Sequence, residues 1–79
     1  MAHFYFHIRD HREFTEDTQG VDLPNLAKAI EEAELAAREM VAEMVLRREA
    51  IDGQVFEITD VNGVILAKVV WKNSIIIED

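Results

Sequence analysis

"QVFEITDVNGVILAKVVW", residues 54–71, holds two runs rich in β-branched and aromatic residues on either side of Asn62-Gly63. Asn-Gly is the favoured pair for a two-residue type I′ turn, because both central residues need positive φ. Such a turn sets Val61 opposite Val64 and Glu57 opposite Lys68. The strands then present Phe56, Ile58, Ala67, Val69 and Trp71 on one face. Val55, Glu57, Thr59, Leu66, Lys68 and Val70 fall on the other. A longer turn, type I with Gly63 in a bulge, would pair Phe56 with Lys68 and mix polar with apolar on both faces, so the first register is expected. A hairpin with one greasy face needs a second layer to cover it.

The layer lies upstream. From about residue 22 to Arg48 the chain is helical in pattern, and beyond Pro24 it has neither glycine nor proline. At about 100° per residue, Leu26, Ile30, Ala33, Ala37, Met40, Val41 and Met44 form one apolar stripe. Its alanines allow a sheet to come close to the helix backbone. Asp22 is the expected N-cap, with Leu23 and Pro24 in the first turn and Val21 and Leu26 as a hydrophobic staple. Glu34 with Arg38, and Glu43 with Arg47, have the favourable order for exposed ion pairs. "AIDG", residues 50–53, closes the helix.

Further out, "HFYFHIRDH", residues 3–11, alternates as a strand. Phe4, Phe6 and Ile8 point one way; His3, Tyr5, His7 and Arg9 point the other. "DHREFTEDTQG" turns the chain, with a weak strand around Phe14 and Thr15. The order is strand, weak strand, helix, strand, strand. That is an α+β fold: an antiparallel sheet with one long helix packed across one face, in a single small domain spanning residues 1–79.

The 79 residues leave no material for a second core, and a chain this short buries only about 60–65% of its unfolded surface. Small domains make up the deficit with disulfides, metals or oligomerisation. With no cysteine, disulfides and thiolate metal sites are excluded, and oligomerisation is the device left. The formal charge of −8 repels phosphate backbones and anionic membranes, so neither nucleic acid nor membrane is an expected partner. "MAHFYFHIRD" has no basic region followed by a long apolar one, so it does not read as a signal peptide. No apolar run approaches the roughly 20 residues that cross a bilayer. A cytoplasmic protein is the expectation.

Chemistry-bearing residues are sparse. His3 and His7 share a strand face, but four residues of strand set them about 13 Å apart. Two ligands of one ion, each about 2 Å from it, cannot be so distant. Only His7 and His11, brought together by the turn, could share an ion, with Asp10 or Glu13 completing the set; half-exposed imidazoles are the plainer reading, and no metal or other cofactor is expected. The one serine, Ser74, and the three threonines stand in no nucleophile motif, and the isolated glycines make no phosphate-cradling loop. An acid–base pair such as His7 with Glu57 across the sheet is conceivable on geometry alone. No catalytic residue and no enzyme activity are expected.

Two surfaces are less ordinary. The outer sheet face should be polar, yet Tyr5, Val55, Leu66 and Val70 sit among His7, Arg9, Glu57 and Lys68. The helix back carries Leu35, Ala42 and Leu46, where a surface helix is normally polar. The tail "SIIIED" adds three isoleucines. Together these features make Tyr5, His7, Arg9, Val55, Glu57, Leu66, Lys68 and Val70, with Leu35 and Leu46, a candidate interaction surface.

"FYFHIRD", "EDTQG", "DLPNL" and the helix "AKAIEEAELAAREMVAEM" resemble a group of short bacterial proteins classed only as a domain of unknown function. The resemblance rests on His7, Arg9, Asp10, Asp17, Gly20, Leu23, Pro24, Leu26, Thr59, Asp60 and Gly63, and covers almost the whole chain. It implies the fold and no activity. "DLPNLAKAIEEA" is also similar, over roughly 25 residues, to antitoxins of the HicB type, and the acidic charge of this chain would suit a basic toxin partner. Here the helix follows the motif directly and no DNA-binding segment comes after it. The expected role is a noncatalytic protein-interaction or homo-oligomerising (dimer) module; the alternative is an antitoxin-like acidic regulator that masks a basic protein.

Overall fold

The computed structural model describes residues 1–11 and 13–74. The isoleucine tail at Ile75–Ile77 lies outside the described residues. In chain order the elements are β1 (Ala2–Arg9), β2 (Phe14–Thr15), β3 (Val21–Leu23), α1 (Leu26–Leu46), β4 (Val55–Thr59) and β5 (Ile65–Val70), followed by a 3-10 turn at Trp71–Ser74. The strands form an antiparallel sheet in the order β2-β1-β4-β5, and β3 pairs with β1 as well. The fold is α+β, with one long helix on one face.

β3 is an addition to the expected order, and it corrects the start of the helix. Ala2, His3 and Phe4 pair with Leu23, Asp22 and Val21, so Asp22 belongs to a strand and cannot cap. Asn25 takes that role: its backbone is extended, and its side-chain oxygen accepts the Lys28 N–H at 2.9 Å. With the cap at Asn25, Val21 no longer stands at the position from which a staple is made. At the other end the Arg48 N–H bonds the Val45 carbonyl and the Glu49 N–H bonds the Met44 carbonyl. That is a Schellman closure with Arg48 at φ 60°, in the left-handed position that usually holds glycine. The helix therefore ends well before the glycine of "AIDG". The Glu43–Arg47 pair forms on its surface at 3.3 Å.

Ala29, Ala33, Ala37 and Val41, each four residues on from the last, are the buried residues of α1. They lie on Phe4, Phe56, Ile58, Val69 and Trp71, with Phe6, Ile8 and Ala67 packed around that core. The tilted rings of Phe56 and Trp71 stand 5.3 Å apart. Alanine at the helix contact leaves room for these large side chains to approach the helix backbone.

The hairpin keeps the expected faces through an unexpected route. Its turn has three residues, not two: the Gly63 N–H bonds the Asp60 carbonyl, and Gly63 sits at φ 81°. The Asp60 carboxylate accepts from the amides of Asn62 and Val64, which stabilises this turn over type I′. By itself the longer turn would slip the strands by one residue. A bulge at Leu66, between the pairs Thr59–Ile65 and Ile58–Ala67, absorbs the slip. Glu57 therefore still stands opposite Lys68, and Phe56 opposite Val69.

Candidate functional site

The outer face of β1 carries a ladder of rings. His3 meets Tyr5 edge-on at 5.0 Å, Tyr5 stacks parallel on His7 at 6.1 Å, and His7 leans on Phe14 at 5.3 Å. The Arg9 guanidinium closes the ladder 4.6 Å above the Phe14 ring, its cross-strand neighbour. Period-2 alternation places all these side chains on one side. The hydrogen bonds beneath them decide what the face can do.

Those bonds run diagonally. His7 faces Glu57 in the register, yet its Nε2 lies 3.1 Å from the Thr59 hydroxyl, and Arg9 Nε donates to the Glu57 carboxylate at 2.8 Å. His7 Nδ1 accepts the Asp17 N–H at 3.0 Å, so the proton of a neutral ring sits on Nε2 and points at Thr59. The acid–base pair of His7 with Glu57 is therefore not assembled as a hydrogen bond. Glu57 and Thr59 are 5% and 4% exposed, which removes them from the solvated face on which the sequence placed them. A buried carboxylate is tolerable only with such a partner.

Asp17 organises the loop that covers this half of the sheet. Its carboxylate accepts from the amides of Phe6, Gln19 and Gly20 at 3.0–3.1 Å. Desolvation pushes the Asp17 pKa up, but the three amides of Phe6, Gly20 and Gln19 together outweigh it and hold the group below its ordinary value. Gly20, at φ 67°, is needed here twice over: a Cβ would come within 2.6 Å of both the His3 ring and the Phe4 carbonyl. His3 bonds Asp22 at 2.6 Å and the Gln19 carbonyl at 2.8 Å. The Asp22 bond first, then the Gln19 bond, raises its pKa above the ordinary 6.5.

His7 and His11 are not brought to one ion. His11 turns to Asp52, 3.4 Å away, while both His7 nitrogens are engaged as described. Among the described residues no group of three or more His, Cys, Asp or Glu is arranged to hold a metal. No helix among them is long and apolar enough to cross a membrane.

Asp17, Gly20, Thr59, Asp60 and Gly63, on which the resemblance rests, are all turn or network residues in this geometry. The profile of a domain of unknown function, DUF6894, matches residues 3–70. The chain belongs to that family. No curated protein and no solved structure matches it. Within this DUF6894 domain the candidate surface divides. Tyr5, His7, Arg9 and Glu57 are engaged with their own chain, whereas Leu66 and Lys68 stand exposed on β5, beside the half-buried Val70. Val55 is half-buried in β4. Leu35 and Leu46 are exposed on the helix, Leu46 at 84%. Asp17 and Asn25 escape a reading of alternation, since their partners are backbone amides in loops; the spacing of Asp17 and Gly20 is their only trace in the sequence.

Proposed function

We propose that this domain is a noncatalytic protein-interaction module of the cytoplasm, whose simplest partner is another copy of itself. The observation that carries the reading is its unburied apolar surface. Val61, Val64, Ile65 and Leu66 are exposed along the β4–β5 hairpin, and Leu35, Val45 and Leu46 are exposed on the helix. A small core and large apolar side chains left exposed are what an interface leaves behind when the partner is removed. The groups that could react are already engaged: His7 with Thr59 and Asp17, and Glu57 with Arg9. Sedimentation equilibrium at micromolar concentration tests the reading. Self-association with a melting temperature that rises with concentration is expected; a strict monomer whose melting temperature ignores concentration overturns it.

The charge of −8 favours a second reading, an acidic regulator that masks a basic protein. A partner encoded by an adjacent basic reading frame would be captured at low salt, with an association rate that falls as salt rises. Capture of this chain alone by itself excludes the regulator.

A further inference from the structure

Resting on the second reading, the acidic regulator, we propose that the groove between the C-terminal half of α1 and the β1–β2 turn docks a basic segment of a partner protein. An arginine of that segment lays its stem on Met40 and Met44 and its guanidinium against Asp10 and Glu13. The groove exists because the helix is set to one side. α1 packs chiefly on β4, β5 and the 3-10 turn, and leaves the inner face of β1 thinly covered near Arg9. Ile8, on that inner face, stays half-buried. A cavity of about 310 Å³ opens there, floored by Ile8, Met40, Met44 and Trp71. That is the low end of the roughly 300–1,000 Å³ of ligand pockets, the room for an anchoring side chain. Methionine suits such a floor, since its unbranched, polarizable side chain refits around what lies on it.

The walls choose the occupant. Asp10 and Glu13 line the groove from the turn, and Glu43 and Glu49 line it from the end of α1 and just beyond. Arg47 is the one described cation among the lining residues. Counting Arg12, which lies outside the described residues, would still leave the acids four to two. Arg47 itself shows what the helix wall takes: its guanidinium reaches Glu43 at 3.3 Å and Glu49 at 3.6 Å. The turn wall has no such partner. Asp10 accepts the His11 N–H with one oxygen, and the Glu13 carboxylate has no partner among the described residues. The last turn of α1 adds to the same sign, since it carries Glu43 and no basic residue against the negative pole of the helix. Among the described residues no three of these acids are arranged to hold a metal ion, so the charge is spread along the groove, as suits an extended basic segment. An arginine satisfies floor and wall together, because its stem is apolar and its head is charged. A second copy of the chain, at −8, brings the wrong sign.

Trp71, the single tryptophan of the chain, lies on the groove floor, so its fluorescence reports occupancy. In the full chain at low salt, a short tryptophan-free peptide alternating arginine with leucine should change that emission saturably, and one alternating glutamate with leucine should not. Glu13→Gln with Glu49→Gln should weaken binding on the order of tenfold or more. Glu31→Gln with Glu32→Gln, the same loss of charge at the far end of α1, should weaken it by about twofold or less. Circular dichroism of each variant controls for folding. Peptide anisotropy that shows binding with equal losses in both pairs, and Trp71 emission unmoved, overturns the groove and leaves the acidic regulator standing. No binding by either measure overturns the groove as well, and capture of a basic partner at low salt then decides the regulator reading separately. Emission that shifts with protein concentration alone makes a second copy the occupant, and binding seen only after deletion of residues 75–79 makes it the chain's own end; either overturns the proposal.

Discussion

Glu57 and Lys68 stand directly opposite each other on the outer face of one hairpin, and their surroundings could hardly differ more. Glu57, on β4, is buried under Arg9 and the ring ladder of β1; Lys68, on β5, is exposed. Over β1 and β4 the polar groups are bonded to one another beneath an exposed Arg9 and Phe14, while toward β5 the face is more apolar and open. Lateral cover makes the difference. The segment from Phe14 to Gly20 lends Arg9 a ring and His7 an amide, and Asp17 fastens that segment to β1 through the Phe6 N–H. No described strand lies beyond β5 to do the same. Composition alone does not separate the two halves: it sets Tyr5, His7 and Arg9 with Leu66, Lys68 and Val70 on one candidate surface, although the first three are engaged with their own chain.

The sharpest way to break this contrast is to remove its cations in turn. Arg9→Ala leaves the Glu57 carboxylate buried and unpaired, and should cost about 2–3 kcal/mol in urea melts, below the figure for a fully buried pair because Arg9 is half exposed. Lys68→Ala should stay within about 0.5 kcal/mol. Equal costs for the two variants would mean that Glu57 reaches water after all. Adding Glu57→Gln to Arg9→Ala should recover part of the loss, since the orphan is then neutral.

His7→Ala comes next. A merely solvated ring would cost about 1 kcal/mol or less. Here its removal orphans the Asp17 N–H and the buried Thr59 hydroxyl, and about 1–2 kcal/mol is expected. A neutral result in thermal or urea unfolding would show that water replaces the ring at no loss.

The alternation of "FYFHIR" and the alanine stripe were legible because periodicity records which side a residue is on. It does not record what lies over that side. Glu57 and Thr59 were assigned the correct face and the wrong environment, since their cover comes from residues about 40 to 50 positions earlier. β3 escaped because three residues carry no period, and its pairing with β1 then moved the helix cap from Asp22 to Asn25. The hairpin faces were foreseen for a reason that does not hold: the turn is longer than Asn-Gly suggests, and the Leu66 bulge cancels the error. Of the candidate surface, the β5 and helix residues were recognisable as apolar where polar is usual, whereas the engagement of Tyr5, His7 and Arg9 depends on Asp17 and Phe14 arriving from the loop.

On the open half, Leu66→Lys should separate stability from association. The residue sits in a bulge at an edge, 39% exposed, so unfolding of the dilute protein should change by about 0.5 kcal/mol or less. Self-association should weaken in sedimentation, because a charge replaces one of the exposed apolar side chains on which the interaction reading rests. A large loss of stability with association unchanged would place Leu66 in the core and remove the contrast between the two halves.

The smallest effect belongs to His3, at the far end of the ladder, and it tests whether two histidines on one strand face have opposite tasks. His7 accepts a backbone N–H at Nδ1, whereas both nitrogens of His3 face acceptors, the Asp22 carboxylate and the Gln19 carbonyl. Only the imidazolium can donate to both. The charged groups facing it are Asp22 across the β1–β3 pair and Asp17 in the loop, and both favour the cation. Its pKa is raised above the ordinary 6.5, mainly by the Asp22 bond and then by the Gln19 bond. The linkage then has one sign: the stabilisation is fully present below the unfolded value and is lost as pH rises through the folded one. His3→Gln should therefore be less stable than the wild type at pH 5.5 and indistinguishable from it well above the folded value, in paired urea melts across that range. The gap should be small, because Asp22 is largely open to solvent, the ring partly so, and salt screens the pair. A gap that widens toward high pH would mean that the ring is held neutral and that its two acceptors are wrongly assigned.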